Sequence, residues 1–256
     1  MQPATTEPYR PETEPPSYRP LSTQERLWTT ISLSPDRAEL IRATYRYLCI
    51  SCAAAMAGGW VGYQLEPWVD FMCTWPGWIT AMILINVLPN LALRFSRSDP
   101  MKASLALAAD GFVSGMVLAP LIFIAMILSV GSLGPNLVQQ ALVITAVIFG
   151  AVTFAVYKSG QHYSAPRAMM MGMFFAIAGA ILINGVFLHS GLVGTLITAG
   201  IGIFGTMTLV YSTSGVLHDP EYDNPVYGAV TLFAGLFMVF QAVLRILMMF
   251  AGGRRD

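Results

Sequence analysis

"LVQQALVITAVIFGAVTFAVYKSG", Leu137–Gly160, decides the fold class. From Leu137 to Tyr157 no charged residue occurs, and Lys158 closes the run. At a rise of about 1.5 Å per residue such a helix is about 30 Å long, the thickness of a bilayer's hydrocarbon core. Apolar side chains go all the way round it. A soluble bundle helix keeps one polar face, so a bilayer is the expected solvent.

Six further segments read the same way: Tyr47–Leu65, Phe71–Phe95, Ala103–Val130, Ala168–His189, Leu192–His218 and Val226–Phe250. The chain is 55% hydrophobic and 11% charged, with a mean hydropathy of +0.61; soluble domains carry about a quarter charged residues. The expected fold is an all-α integral membrane protein, a seven-transmembrane-helix bundle over residues 47–251. Residues 34–46, "SPDRAELIRATYR", have a Ser-Pro-Asp helix start and helical apolar spacing, and predict an interfacial amphipathic helix. Residues 1–33 are rich in Pro, Thr and Glu without an apolar run. They cannot bury enough surface to fold alone, and are read as an extended tail rather than a signal peptide. Residues 252–256, "GGRRD", form a short basic tail.

Basic residues set the expected orientation. Arg10, Arg19, Arg26, Arg37, Arg42 and Arg46 precede the first span; Arg94, Arg97 and Lys102 mark the second loop; Lys158 and Arg167 mark the fourth. The first, third and fifth loops have none. The N-terminus is therefore expected on the cytoplasmic or matrix side of a bacterial or mitochondrial inner membrane. Arg254 and Arg255 disagree, which keeps a re-entrant last helix as the alternative.

Other features narrow the chemistry. The formal net charge is zero, so nothing asks for nucleic acid. The three cysteines, Cys49, Cys52 and Cys73, lack paired zinc spacing and are expected to be buried free thiols. His162, His189 and His218 are too scattered to share a metal. No phosphate loop or nucleophile constellation occurs; neither enzymatic activity nor a cofactor is expected. Pro76, Pro89 and Pro120 fall inside spans and predict kinks. Gly172, Ala176, Ala180 and Asn184 recur every fourth residue, as do Gly194, Thr198, Gly202 and Thr206, so the fifth and sixth spans are expected to pack closely on each other.

The succession of motifs resembles the Bax inhibitor-1 family. "ALVITAVIFGAVTFAVYKSGQHYS" (Ala141–Ser164) looks like its fourth span, "GMVLAP" (Gly115–Pro120) its third, and "GIFGTMTLVYSTSGVLH" (Gly202–His218) with "LFAGLFMVFQAVLRIL" (Leu232–Leu247) its sixth and seventh. The likeness covers Arg42 to Phe250. It implies seven spans with the last helix central, and links to calcium leak, pH sensing, cell-death suppression and, in bacteria, modulation of a membrane-anchored AAA protease. The resemblance also exposes a departure. Calcium-conducting relatives carry an aspartate after the tyrosine of the sixth span, and another in the seventh. Here Tyr211 is followed by Ser212, and Gly235 holds the other position. Two close carboxylates share a proton or bind a cation; serine and glycine do neither.

One intramembrane acid remains. Asp110 lies about 11 Å inward from Ala103, at a depth similar to Ser212 and Gly235. A charge there is costly, so Asp110 is expected to face the bundle interior as a substitute proton or cation site, or as a neutral acid hydrogen-bonded to Ser212 or Tyr211. Arg245 is too far along the seventh span to pair with it. Beyond His218 lies an acidic loop, Asp219, Glu221 and Asp223. The expected role is a structural or regulatory subunit of a larger membrane complex, contacting its partner through the N-terminal tail and helix faces. The alternative is a pH-sensitive calcium or proton leak channel using Asp110.

Overall fold

The computed structural model describes residues 35–96, 99–130, 136–160, 163, 167–184, 189–219 and 222–252. The expectations for the Pro-rich tail, His162, Glu221 and the terminal arginines lie outside them. Among the described residues there are nine helices and no strand: α1 Pro35–Gln64, α2 Glu66–Met72, α3 Trp75–Phe95, α4 Pro100–Val117, α5 Ala119–Ser129, α6 Leu137–Ser159, α7 Arg167–Ile183, α8 Gly191–His218 and α9 Pro225–Gly252. Local chemistry starts several of them. The Asp99 carboxylate accepts from the backbone of Met101 and Lys102. Asn136 and Gln139 form a reciprocal capping box. Such caps satisfy amides that a helix start leaves without an internal partner.

α3, α6, α8 and α9, of 21 to 28 residues, are each long and apolar enough to cross a membrane. Two bent pairs raise the candidate spans to six: α1 with α2, at 98°, and α4 with α5, at 51°. Residues read as an interfacial helix and as the first span form one uninterrupted helix, α1. The second span begins at Trp75 rather than Phe71, because Glu66–Met72 turns away as a separate short helix. Pro76 therefore sits in the first turn of α3, where no amide is needed, and only Pro89 is interior. Pro120 does mark a break, between Val117 and Ala119. Having no N–H, it leaves the carbonyl of Met116, four residues back, without its helical donor. The indole N–H of Trp68 on α2 donates to that carbonyl at 2.9 Å.

The tightest packing joins α1 to α4. A Cβ on Gly58, Gly111 or Gly115 would run into the carbonyl oxygen of Phe112, Ser51 or Ala55 respectively, so backbone meets backbone. α7 and α8, expected as the fifth and sixth spans, touch, but not stripe on stripe. Gly194 approaches Asn184, whereas a Cβ on Gly202 would lie 3.2 Å from Ala242 of α9 and one on Gly205 would lie 2.8 Å from Met238. Gly202 of the α8 stripe, with the neighbouring Gly205, thus serves α9. Thr198 and Thr206 return their hydroxyls to Gly194 and Gly202. On α7, Gly172 has nothing within 4 Å, Ala176 is exposed and Ala180 half-buried.

Polarity is inverted relative to a water-soluble protein. Trp75, Leu105 and Phe250 are at least 70% exposed, while Asp110, Ser114, Ser212, Thr213 and Ser214 are buried. Apolar surface on this extent has lipid as its natural solvent. The three cysteines are free, but Cys49 and Cys73 are exposed rather than buried, since their faces point away from the helix neighbours.

Candidate functional site

The C-terminal half of α8 carries a hydroxyl at six of the nine positions from Thr206 to Ser214. Thr208 returns its hydroxyl to the Phe204 carbonyl at 2.8 Å, and Ser214 accepts from the Tyr163 amide at 2.7 Å. Ser212 is buried and Tyr211 half-buried. Thr213 is fully buried and its hydroxyl has no partner among the described residues. On the facing helix, a Cβ added to Gly235 would meet Cγ and Cδ2 of Leu209 at 2.9 Å. Leu209 is itself fully buried, one turn before Ser212. The space that a carboxylate would need at position 235 is therefore filled by hydrocarbon.

Asp110 is 3% exposed. It sits on the part of α4 that packs against α1, where Gly111 abuts Ser51 and the Ser51 hydroxyl reaches the Leu107 carbonyl at 3.5 Å. The expected hydrogen bond to Ser212 or Tyr211 is not formed: α4 pairs chiefly with α1 and α3, and α8 with α9. Arg245 is half-buried on α9 and forms no ion pair with Asp110. Among the described residues no three His, Cys, Asp or Glu side chains come together as a metal site.

The acidic crossing between α8 and α9 is pinned. Arg37, at the start of α1, donates to the Gly215 carbonyl at 2.6 Å and the Tyr222 carbonyl at 3.1 Å. It thereby adds a charged donor at the C-terminal end of α8, beside the Asp219 amide that donates to the same Gly215 carbonyl at 3.1 Å, where the helix dipole favours a cation. Burial lowers the Arg37 pKa and the charge of Asp219 opposes that effect. The Tyr222 hydroxyl shares a 2.8 Å hydrogen bond with Thr231, and burial pushes its pKa up to about 12. Asn224 caps α9 through the Val226 amide, at 3.0 Å, and donates to Ser96 at the end of α3, at 2.9 Å. Asp223 is exposed. The loop read as an acidic cluster is a junction of α1, α3, α8 and α9.

Sequence reading counted Arg37 only as a topology signal. Its position one turn before the apolar face of α1 was visible; its partners, 178 and 185 residues away, were not. Trp68 was missed similarly, although Pro120 announced a carbonyl in need of a donor.

The chain matches the sequence profile of the family described as inhibitor of apoptosis-promoting Bax1 over residues 37–252. It is 25% identical over 223 residues to an uncharacterized protein of Campylobacter jejuni, covering 85% of this chain and 91% of that one. An uncharacterized protein of Helicobacter pylori is 25% identical over 217 residues, covering 84% and 89%. One from Pseudomonas aeruginosa is 24% identical over 224 residues, covering 87% and 95%. The match begins at the clamp residue Arg37 and ends with the last turn of α9, so the described helices and the matched region coincide, and the chain belongs to the Bax inhibitor-1 family of multi-pass membrane proteins.

Proposed function

We propose that this protein is a non-enzymatic subunit, structural or regulatory, of a larger complex in a bacterial inner membrane, without a paired-carboxylate calcium sensor. It has seven spans, α7 being the one not counted by length, with the last helix enclosed and the N-terminus cytoplasmic. The observation that carries this reading is Leu209 against Gly235. Calcium requires six to eight oxygen ligands. A leucine side chain at the facing position, and an Asp110 on a helix that packs chiefly on α1 and α3, offer far fewer.

A second reading is favoured by one fact: Asp110 is an acid buried to 3% exposure within an apolar bundle. In this reading it is the proton-exchanging or cation-binding group of a leak channel. Calcium and proton flux into liposomes holding the purified protein separates the two, run beside a detergent pull-down. The subunit reading expects flux at the level of empty liposomes and a stable co-purifying membrane protein. Robust pH-gated flux that Asp110→Asn abolishes would establish the channel.

A further inference from the structure

At the Arg37 end of the bundle a cavity of about 640 Å³ opens between the end of α3 and the α8–α9 crossing. Asn90 and Arg94 line one wall; Tyr222, Asp223, Asn224 and Tyr227 line the other. Opposite charges therefore face one groove. Among the described residues, however, the side chains that form an ion pair are Lys102 and Asp99, and neither Arg94 nor Asp223 closes within 4 Å of an opposite charge. The two tyrosine rings pack with centroids 5.1 Å apart.

A second observation concerns what leads into the groove. Ile83, Val87 and Leu91 are exposed at 56%, 46% and 38%. With Arg94 they share one face of α3, at helical spacing i, i+4, i+8 and i+11. An apolar stripe thus runs along a lipid-facing helix and ends at a guanidinium. Only an amphiphile uses both parts: an acyl chain on the stripe and a polar head in the groove.

We propose that the groove binds the headgroup of a zwitterionic phospholipid, phosphatidylethanolamine in chemical class, independently of the subunit or channel reading. Arg94 takes the phosphate through charge-assisted hydrogen bonds, for which the guanidinium fork is suited. The ammonium lies between the Asp223 carboxylate and the Tyr227 ring face, which attracts cations. An anionic lipid such as phosphatidylglycerol satisfies Arg94 but leaves Asp223 facing negative charge. A zwitterion completes both, and the gap between the two side chains is the space that it fills.

The test is native mass spectrometry of the full-length protein, delipidated and incubated with mixed micelles of equal phosphatidylethanolamine and phosphatidylglycerol. Wild type retains phosphatidylethanolamine preferentially. Arg94→Gln lowers retention of both lipids by about tenfold, the loss of one charge-assisted contact, while Arg94→Lys keeps most of it. Asp223→Asn and Tyr227→Leu each lower phosphatidylethanolamine alone and erase the preference. These side chains are exposed, and unchanged circular dichroism together with the Arg94→Lys rescue separates binding from folding. Equal retention of the two lipids by wild type, or an unaltered preference in both Asp223→Asn and Tyr227→Leu, overturns the proposal. So does displacement by free phosphoethanolamine as effective as by dihexanoyl-phosphatidylethanolamine, which would make the occupant a soluble zwitterion.

Discussion

Gly235 and Arg37 show how single side chains govern the two ends of the α8–α9 pair. At Gly235 the neighbour is a fully buried leucine, so a new side chain has to displace packed hydrocarbon. Gly235→Asp is expected to lower the thermal midpoint of the purified protein by overpacking, typically about 1–3 kcal/mol, with a further cost for an unpaired buried acid. Leu209→Ala should relieve the steric part, so the double variant is expected to be more stable than the sum of the singles. Reintroducing carboxylates at Ser212 and Gly235 without changing Leu209 will not create calcium binding in an isothermal titration. At Arg37 the Tyr222 carbonyl loses its guanidinium donor and the Gly215 carbonyl is left with the Asp219 amide alone. Arg37→Met, which keeps the apolar stem, is expected to cost about 1.5–3 kcal/mol and to raise hydrogen exchange locally in the last turn of α8. An unchanged exchange rate there would show that water replaces the guanidinium without loss.

Among the helices, the bend between α4 and α5 depends on a residue from elsewhere. Pro120 removes the donor, and Trp68 supplies another from a helix that leaves α1 at 98°. Trp68→Phe preserves ring packing but removes the N–H. It is expected to cost about 1 kcal/mol or somewhat more, because the Met116 carbonyl is left unsatisfied in an apolar setting. Trp68→Phe combined with Pro120→Ala should recover most of that loss, since the alanine amide can restore the helical bond. Equal stability losses in the presence and absence of Pro120, read from urea unfolding, would rule this coupling out. The small-residue stripes carry a different lesson. Spacing on α8 picks out Gly194, Thr198, Gly202 and Thr206, but the close approaches of Gly202 and the neighbouring Gly205 are to α9. Periodicity identifies a face; it does not name the helix opposite.

For the chain as a bundle, the proposed orientation and partnership each have a direct test. In the proposed topology, with the N-terminus cytoplasmic, an introduced cysteine at Ser159→Cys, at the end of α6, is expected to react with an impermeant maleimide only in inverted vesicles, against a background with Cys49, Cys52 and Cys73 replaced. Labelling only from the outer side would reverse the topology. Deleting Met1 to Gln24 is expected to leave the helical circular dichroism and thermal midpoint of the bundle unchanged while releasing any co-purifying protein. A Pro-rich segment gives up little entropy on docking because it is already stiff. An unaltered co-purification profile after the deletion would remove the tail from the interface.

Helical class, membrane environment and family were legible in the sequence because they rest on local quantities: runs such as Leu137–Tyr157, the Ser-Pro-Asp helix start at residues 34–36, and the order of the motifs from Gly115 to Leu247. A helix in lipid satisfies its own backbone, so its existence needs no knowledge of its neighbours. The absence of aspartate at Ser212 and Gly235 was equally plain. Three things depended on contacts between distant segments. Leu209 seals position 235, Asp110 is buried on a helix that packs chiefly on α1 and α3 rather than on the hydroxyl-bearing α8, and Arg37 reaches across more than 170 residues of chain to hold the acidic crossing. Each is a matter of which helix faces rotate toward one another. Side-chain identity along a uniformly apolar span gives no strong angular preference, so that rotation is set by close backbone approach at glycines such as Gly58, Gly111 and Gly205, and emerges only when all the helices are packed.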